Sequence, residues 1–332
     1  MRPFTCAIVG ASGMVGGMFL KILEERNLPI SKLYLFASAR SAGQTLKFNG
    51  QDIIIEELTP SVFTSADGNT KIDFALFATE GDISKKYAPI AAGAGCIVVD
   101  NSSAYRLAND VPLVVPEVNS GDLQNHNGII ANPNCCAAPS VVALKPLLDT
   151  YGLQRVVIST YQSVSGAGVG GMADLERTLQ GEPQQHFPHI IAGNLIPHID
   201  SFHDDGYTGE EKKLMAEIRK MLHLPTLPVT ATTVRVPVEF GHSLSINVTL
   251  SKAFDLGDVR KLLANAPGIT LQDDPARNLY PMPLTAAGTD AVYVGRIRRD
   301  DSFPNSLNLW VVADNTRKGA ATNVIQIVES ML

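Results

Sequence analysis

Long apolar runs are missing from this 332-residue chain, and none approaches the ~18–20 residues a membrane helix needs. A membrane-embedded protein is thereby disfavoured, and an opening strand that runs into a glycine loop speaks against a signal peptide. Cysteine is scarce: four residues, two of them adjacent, give neither a disulfide framework nor metal-ligand spacing. The reading is a reduced, cytoplasmic protein with no metal. Basic runs are absent beyond pairs such as Arg298-Arg299, and the net charge is −6. With a pI near 5.6, a nucleic-acid surface is excluded. Repeats and low-complexity linkers are also lacking, so the domains are expected to pack closely.

What is present is enough chain for two domains, each with its own core. Strand and helix signals alternate through the first half, the pattern of a parallel sheet with crossover helices. Phe4 to Val9 is a strand, and the helix after it places Val15, Met18, Phe19, Ile22 and Leu23 on one face. Further strands are expected at Lys32–Ala37, Ile72–Phe77 and Ile97–Asp100, with a helix over Ser84–Ala94. A helix from about Ala138 to Asp149 carries Pro139 in its first turn. The second half changes character. Ser243 to Leu250 alternates polar and apolar residues, as a half-exposed strand of a mostly antiparallel sheet does. Val229–Val238 and Val292–Ile297 are expected as its neighbours, with helices at Glu210–Leu222 and Leu256–Asn265 covering one face.

Gly10, Gly13 and Gly16 form G-x-x-G-x-x-G directly after the first strand, where a diphosphate can approach backbone N–H groups at a helix N-terminus. The loop brings Ser12, Met14 and Val15 to the same place. The end of the second strand decides the dinucleotide. An Asp or Glu there would bind ribose hydroxyls, but this chain has Ser38, Arg40 and Ser41, which suit a 2′-phosphate. NADP is the favoured cofactor.

Past this domain comes Asn132-Pro133-Asn134-Cys135-Cys136 at the start of a helix, whose dipole favours a thiolate. Cys6 and Cys96 read as small core residues, and spacing alone does not rank Cys135 against Cys136. A thiol facing a nicotinamide is the equipment for making or breaking a thioester by hydride transfer.

Motifs along the whole chain resemble the aspartate-β-semialdehyde dehydrogenase family. They are Gly10–Gly16, Ala37–Ser41, Val98–Ser103, Val114–Asn119, Asn132–Cys135, Thr160–Gly168, Arg235–Val238, Gly241–Ser243, Ala313–Asn315 and Arg317–Ala320. The resemblance implies a Rossmann-type doubly wound parallel sheet plus an α+β catalytic and dimerisation domain with a mixed, mostly antiparallel sheet. Residues 1–131 and 313–332 would form the NADP domain and 132–312 the other. The C-terminal helix, with its stripe Val324, Ile327, Val328 and Met331, would then pack on the NADP domain. Cys135 becomes the nucleophile, His242 the acid/base and Gln162 the holder of the substrate carbonyl or its attacking water. Arg235 would grip the α-carboxylate, Glu210 the ammonium, and Lys213, Arg106 and Asn134 the phosphate. The neighbouring Glu211 and Lys212 leave that register open by one residue. Ser165, Gly166 and Asn315 would join the cofactor contacts. The family usually has a small polar residue where Cys136 stands, so this chain carries an additional oxidisable sulfur.

The implied reaction is reversible, NADPH-dependent reduction of L-4-aspartyl phosphate to aspartate semialdehyde and phosphate, in lysine, threonine, methionine and diaminopimelate synthesis. A homodimer is expected through the exposed face of the second sheet. Two alternatives stand beside it. The related N-acetyl-γ-glutamyl-phosphate reductases bind an acylated amine, which an ammonium-binding Glu210 does not suit, and their cysteine usually follows glycine. A non-catalytic NADP-binding homologue would have lost the nucleophile, base or clamp, and all three are present.

Overall fold

The computed structural model describes residues 2–64 and 71–332, which divide into two compact units. Met1–Pro133 and Ala320–Leu332 form the first, and Asn134–Gly319 the second.

The first unit contains β1 (Phe4–Val9), α1 (Met14–Glu25), β2 (Ile30–Ala37), β3 (Thr45–Phe48), β4 (Gln51–Glu57), β5 (Phe74–Phe77), α2 (Gly81–Gly93), β6 (Ile97–Asp100), α3 (Pro116–Asn119) and β7 (Ile129–Ala131). The sheet order is β3-β4-β2-β1-β5-β6-β7, parallel except where β3 runs against β4. Strand alternation divides β1 between two cores. Cys6 and Ile8 face α1 and the C-terminal helix Thr322–Glu329, while Ala7 and Val9 join Phe77, Ala88 and Ala91 on the α2 side. Covering both faces is what a parallel sheet requires. β1 lies between β2 and β5, so successive crossovers leave in opposite directions from the loop that follows it. That is the switch point where such sheets bind ligands.

The C-terminal helix belongs to this first core. Val324, Ile325, Ile327 and Val328 are fully buried there, Met331 packs against them, and Arg26 Nη1 meets Glu329 Oε2 at 2.7 Å. Asn323 donates to Val114 O and Asn132 Oδ1.

The second unit contains α4 (Ala137–Tyr151), β8 (Leu153–Gln162), α5 (Gly168–Leu179), α6 (Gly209–Met221), β9 (Val229–Arg235), β10 (His242–Leu250), α7 (Leu256–Ala264), β11 (Ile269–Leu271), β12 (Val292–Asp300) and β13 (Ser306–Ala313). Its sheet order is β11-β12-β13-β10-β8-β9. β10 pairs antiparallel with β8 and β13, whereas β9 runs parallel to β8 and β11 to β12. Two expectations change here. Neither β9 nor β12 neighbours β10: β8 and β13 intervene. β8 reads less clearly as a strand because polar Ser159, Thr160 and Gln162 follow its apolar Val156–Ile158. α4 begins at Ala137, with Pro139 inside its first turn and Cys136 at the cap. Its Val141, Val142, Leu144 and Leu147 are buried, each worth about 1.5–3 kcal/mol. That anchorage holds the segment immediately before the helix, which carries Cys135.

The division also moves two boundaries. Residues 313–319 fall in the second unit, not the first, because Ala313 completes the ladder to His242 and Asp314 accepts from Thr316, Arg317 and Gly288 N–H groups. Asn132 and Pro133 fall in the first, where Asn132 N–H donates to Asp100 O and its amide to Asn101 Oδ1.

Candidate active site

The second unit assembles a buried polar cluster around the two adjacent sulfurs. Cys135 is partly exposed and Cys136 buried. Asn134 fixes the segment from both sides: its Oδ1 accepts from the Cys136 N–H at 2.8 Å, and its own N–H donates to Glu217 Oε2 at 2.6 Å. Gly319 presses on the same place, since a Cβ there would lie 3.0 Å from the Cys135 Cβ and carbonyl oxygen.

The ends of three strands bring the rest. β8 ends at Gln162 and β9 at Arg235, and these two residues are register partners. His242 begins β10. Ser163 joins them: its N–H donates to His242 Nδ1 at 3.0 Å and its carbonyl accepts from Arg235 Nη1 at 2.8 Å. An Nδ1 that accepts a main-chain N–H leaves the neutral ring's proton on Nε2. His242 Nε2 is buried and makes no hydrogen bond, and one donor atom each of Cys135, Cys136 and His242 lies within 4.8 Å of the others. Gly166 lets this happen, because a Cβ there would stand 2.8 Å from Arg235 Nη1 and 3.0 Å from His242 Nε2.

The electrostatics separate the two sulfurs that spacing could not rank. A hydrogen bond from the Cys136 thiol, and then the neighbouring His242 imidazole and the Arg235 guanidinium, hold Cys135 well below the ordinary thiol range against the opposing effect of burial. Burial first, then the Cys135 thiol(ate) beside it, drive Cys136 the other way. Cys6 and Cys96 are buried in the first unit, and burial raises Cys96 to about 11 and Cys6 further. Among the cysteines, only Cys135 combines access with a stabilised thiolate.

On α6 the neighbouring side chains take different partners. Glu210 Oε1 accepts from Gln162 Nε2 at 3.1 Å and from Asn134 Nδ2 at 2.8 Å. Glu211 is a helix cap, bonded to the Thr208 and Thr233 N–H groups. Lys212 pairs with Asp205, and Lys213 with Asp200, its side chain 36% exposed. Lys213 is thus not drawn into the cluster. Asn315 is buried among polar groups of the second unit: its Oδ1 accepts from the Gly241 N–H at 3.0 Å and the Ser163 Oγ at 3.0 Å, and its Nδ2 donates to Ser165 Oγ.

Other site residues lie in the first unit. Gly10 takes φ +87°, and a Cβ there would come 2.4 Å from Ala78 O; one on Gly16 would come 2.3 Å from Gly10 O. The loop is tied to β2 by the Gly10 N–H bond to Phe36 O at 2.8 Å. Gly13 caps α1 with no side-chain hydrogen bond, and no acid occupies the first turn containing Met14 and Val15, so the positive helix end is open to an anion. Ser12, Ser38 and Arg40 are exposed, and the Ser41 N–H closes a turn onto Ser38 O. No carboxylate follows β2 before Gln51. These residues fit a dinucleotide. Arg106 also lies in this unit, donating to Asn101 O and Asn132 O.

Sequence reasoning overlooked Ser163, Glu217 and Gly319. Glu217 had a signal: it falls on the buried α6 stripe with Leu214, Ile218 and Met221 and is itself fully buried.

Two family models match the chain, "Semialdehyde dehydrogenase, NAD binding domain" over residues 5–126 and "Semialdehyde dehydrogenase, dimerisation domain" over 144–318. The aspartate-semialdehyde dehydrogenase of Aquifex aeolicus is 49% identical over 338 residues, 99% of this chain and 98% of that protein. The chain belongs to the aspartate-semialdehyde dehydrogenase family. The Legionella pneumophila member is 48% identical, covering 99% of this chain and 95% of its own. Among solved structures, aspartate semialdehyde dehydrogenase II from Vibrio cholerae, complexed with ASA, matches at TM-score 0.92 and 42% identity, over 100% of this chain and 98% of that one. The Candida albicans aspartate semialdehyde dehydrogenase with NADP matches at 0.78 and 27%, over 99% and 98%. The fold is that of this family's two-domain enzymes, and the chain is an enzyme of the aspartate-semialdehyde dehydrogenase class.

Proposed function

We propose that this enzyme runs the reversible reduction of L-4-aspartyl phosphate to aspartate semialdehyde and phosphate through a thioester on Cys135, with NADP as cofactor, in the synthesis of lysine, threonine, methionine and diaminopimelate. The observation that carries it is a stabilised thiolate at Cys135 beside His242 Nε2 and Arg235.

In the reducing direction Cys135 attacks the acyl phosphate, and phosphate leaves as the thioester forms. Arg235 has one Nη committed to Ser163 O, and the rest of its planar fork suits the substrate α-carboxylate. Glu210 faces the ammonium with a carboxylate already oriented by Gln162 and Asn134. The Gln162 amide steadies the carbonyl. Reduction of the thioester leaves an alkoxide, to which His242, as the imidazolium, donates its Nε2 proton. His242 takes the proton back as the hemithioacetal collapses to aldehyde and the Cys135 thiolate. Gly10, Ser12, Gly13, Met14, Val15, Ser38, Arg40 and Ser41 would hold NADP, with Ser165 and Gly166 as further contacts. The bound dinucleotide supplies the hydride. Arg106, Lys213 and Asn134 are assigned to phosphate, and a second copy of the chain to the free face of the second sheet.

The direct test is NADP reduction followed by absorbance with L-aspartate semialdehyde plus inorganic phosphate; a rate that does not depend on phosphate sinks the proposal. A charge-assisted contact to the 2′-phosphate is worth roughly 1.5–3 kcal/mol. Arg40→Ala should therefore raise KM for NADP by roughly 10–150-fold and leave KM for NAD nearly unchanged; equal penalties remove Arg40 from the site. Lys213→Ala should raise KM for phosphate more than that for the semialdehyde. Unchanged phosphate dependence would leave Lys213 as no more than the partner of Asp200.

A further inference from the structure

We propose that Cys135, Cys136 and His242 form a three-ligand site for a soft divalent cation, zinc above all, whose occupation switches the enzyme off. The linear sequence has no metal-ligand spacing, but the fold supplies one by setting the first residue of β10 against the segment before α4. Two sulfurs and an imidazole nitrogen lie within 4.8 Å of one another. Tetrahedral zinc, with Zn–S near 2.3 Å and Zn–N near 2.0 Å, needs such atoms about 3.5–3.8 Å apart, within reach of small side-chain rotations. His242 is fully buried, its Nδ1 is committed to Ser163, and its Nε2 side meets the Cys135 sulfur.

The chemistry selects the ion. Two thiolates and an imidazole prefer zinc or cadmium to magnesium or calcium, and three protein ligands leave the fourth position for water. Arg235 is the cation nearby, and Glu210 faces it, so two thiolates balance the charge of the metal. Binding releases the Cys136 thiol proton to solvent. It also moves the imidazole proton from Nε2 to Nδ1, where Ser163 Oγ, 3.0 Å away, can accept it at the expense of the Ser163 N–H bond. A hydrogen bond of this kind to the outer nitrogen is the usual support of a histidine ligand. Cys136 is the deciding residue, since without it only two protein ligands remain, short of the three that such sites use.

The site rests only on the placement of these three groups, whereas the loss of activity on its occupation rests on the roles of Cys135 and His242 proposed above. The test titrates zinc, and separately cobalt(II), into the untagged, reduced, full-length enzyme and its Cys136→Ser and His242→Ala variants. Affinity is read by competition with a chromophoric chelator and coordination from the cobalt spectrum. The expected result is one equivalent bound, a thiolate-to-cobalt charge-transfer band with tetrahedral visible bands, and inhibition reversed by chelator. Each single variant should weaken zinc at least about 30-fold, and the Cys136→Ser band should lose about half its intensity. Fractional inhibition is referred to each variant's own metal-free rate. Undiminished affinity in Cys136→Ser, or cobalt without a thiolate band, overturns the site. Binding as expected in an enzyme inactive toward aspartate semialdehyde would sink the proposed reaction and leave the site standing.

Discussion

Cys135→Ala should lower turnover by on the order of 10⁴-fold or more, because the proposed thioester has no other atom on which to form. Dinucleotide affinity, measured by fluorescence titration, should be unchanged, since the glycine loop belongs to the other unit. Cys136→Ser keeps a hydroxyl donor beside Cys135 and should retain most activity. Alkylation by iodoacetamide gives a second reading. Protonated thiol does not react, so the rate falls as pH drops through the pKa, and a lowered pKa moves that fall to lower pH. The midpoint for the parent should lie well below the ordinary thiol value. In Cys136→Ala it should move up, because the leading cause of the shift is the Cys136 hydrogen bond. If Cys136→Ser is the dead variant instead, the assignment of the two sulfurs is reversed.

Arg235→Lys should lower kcat/KM for aspartate semialdehyde by roughly 10²–10³-fold, although the charge is kept. Arg235 is 5% exposed, and its guanidinium donates to Ser163 O and lies over the Phe187 ring at 5.9 Å. An ammonium can satisfy the carbonyl or the substrate carboxylate, but its geometry does not span both. The loss should appear mainly in KM, since the clamp grips ground and transition states alike. A variant with unaltered KM and lowered kcat would place Arg235 on the reacting carbonyl instead.

Much of this was legible before any coordinates. The glycine loop announced itself because a tight turn needs glycine where a Cβ would meet Ala78 O or Gly10 O. The apolar stripes of α1 and the C-terminal helix were readable because burial repeats with the helical period. Strand neighbours were not readable. Pairing is long-range, and β8, the strand against which both β9 and β10 lie, carries polar residues that blur its pattern. The Cys135–Cys136 ambiguity could not be settled along the chain either, because the groups that separate the sulfurs, His242 and Arg235, arrive from distant strand ends. Glu210 against Glu211 was similar: one accepts from Gln162 and the other from Thr208, and only the seating of α6 tells them apart.

Ser163 is bonded to His242, the proposed acid/base, through its N–H and to Arg235, the proposed carboxylate clamp, through its C=O. Both bonds belong to main-chain atoms, so the residue type hardly matters to them. Alanine scanning would register Ser163 as the loss of one hydroxyl and pass over the joint between two functional side chains. A genetic survey would likewise see tolerance there. The joint can be reached only by changes to the backbone itself, such as an ester in place of the amide, and its loss would disturb imidazole and guanidinium together. An engineered variant that shifts this single peptide unit would therefore alter proton transfer and substrate selection at once, even with every named side chain still in place.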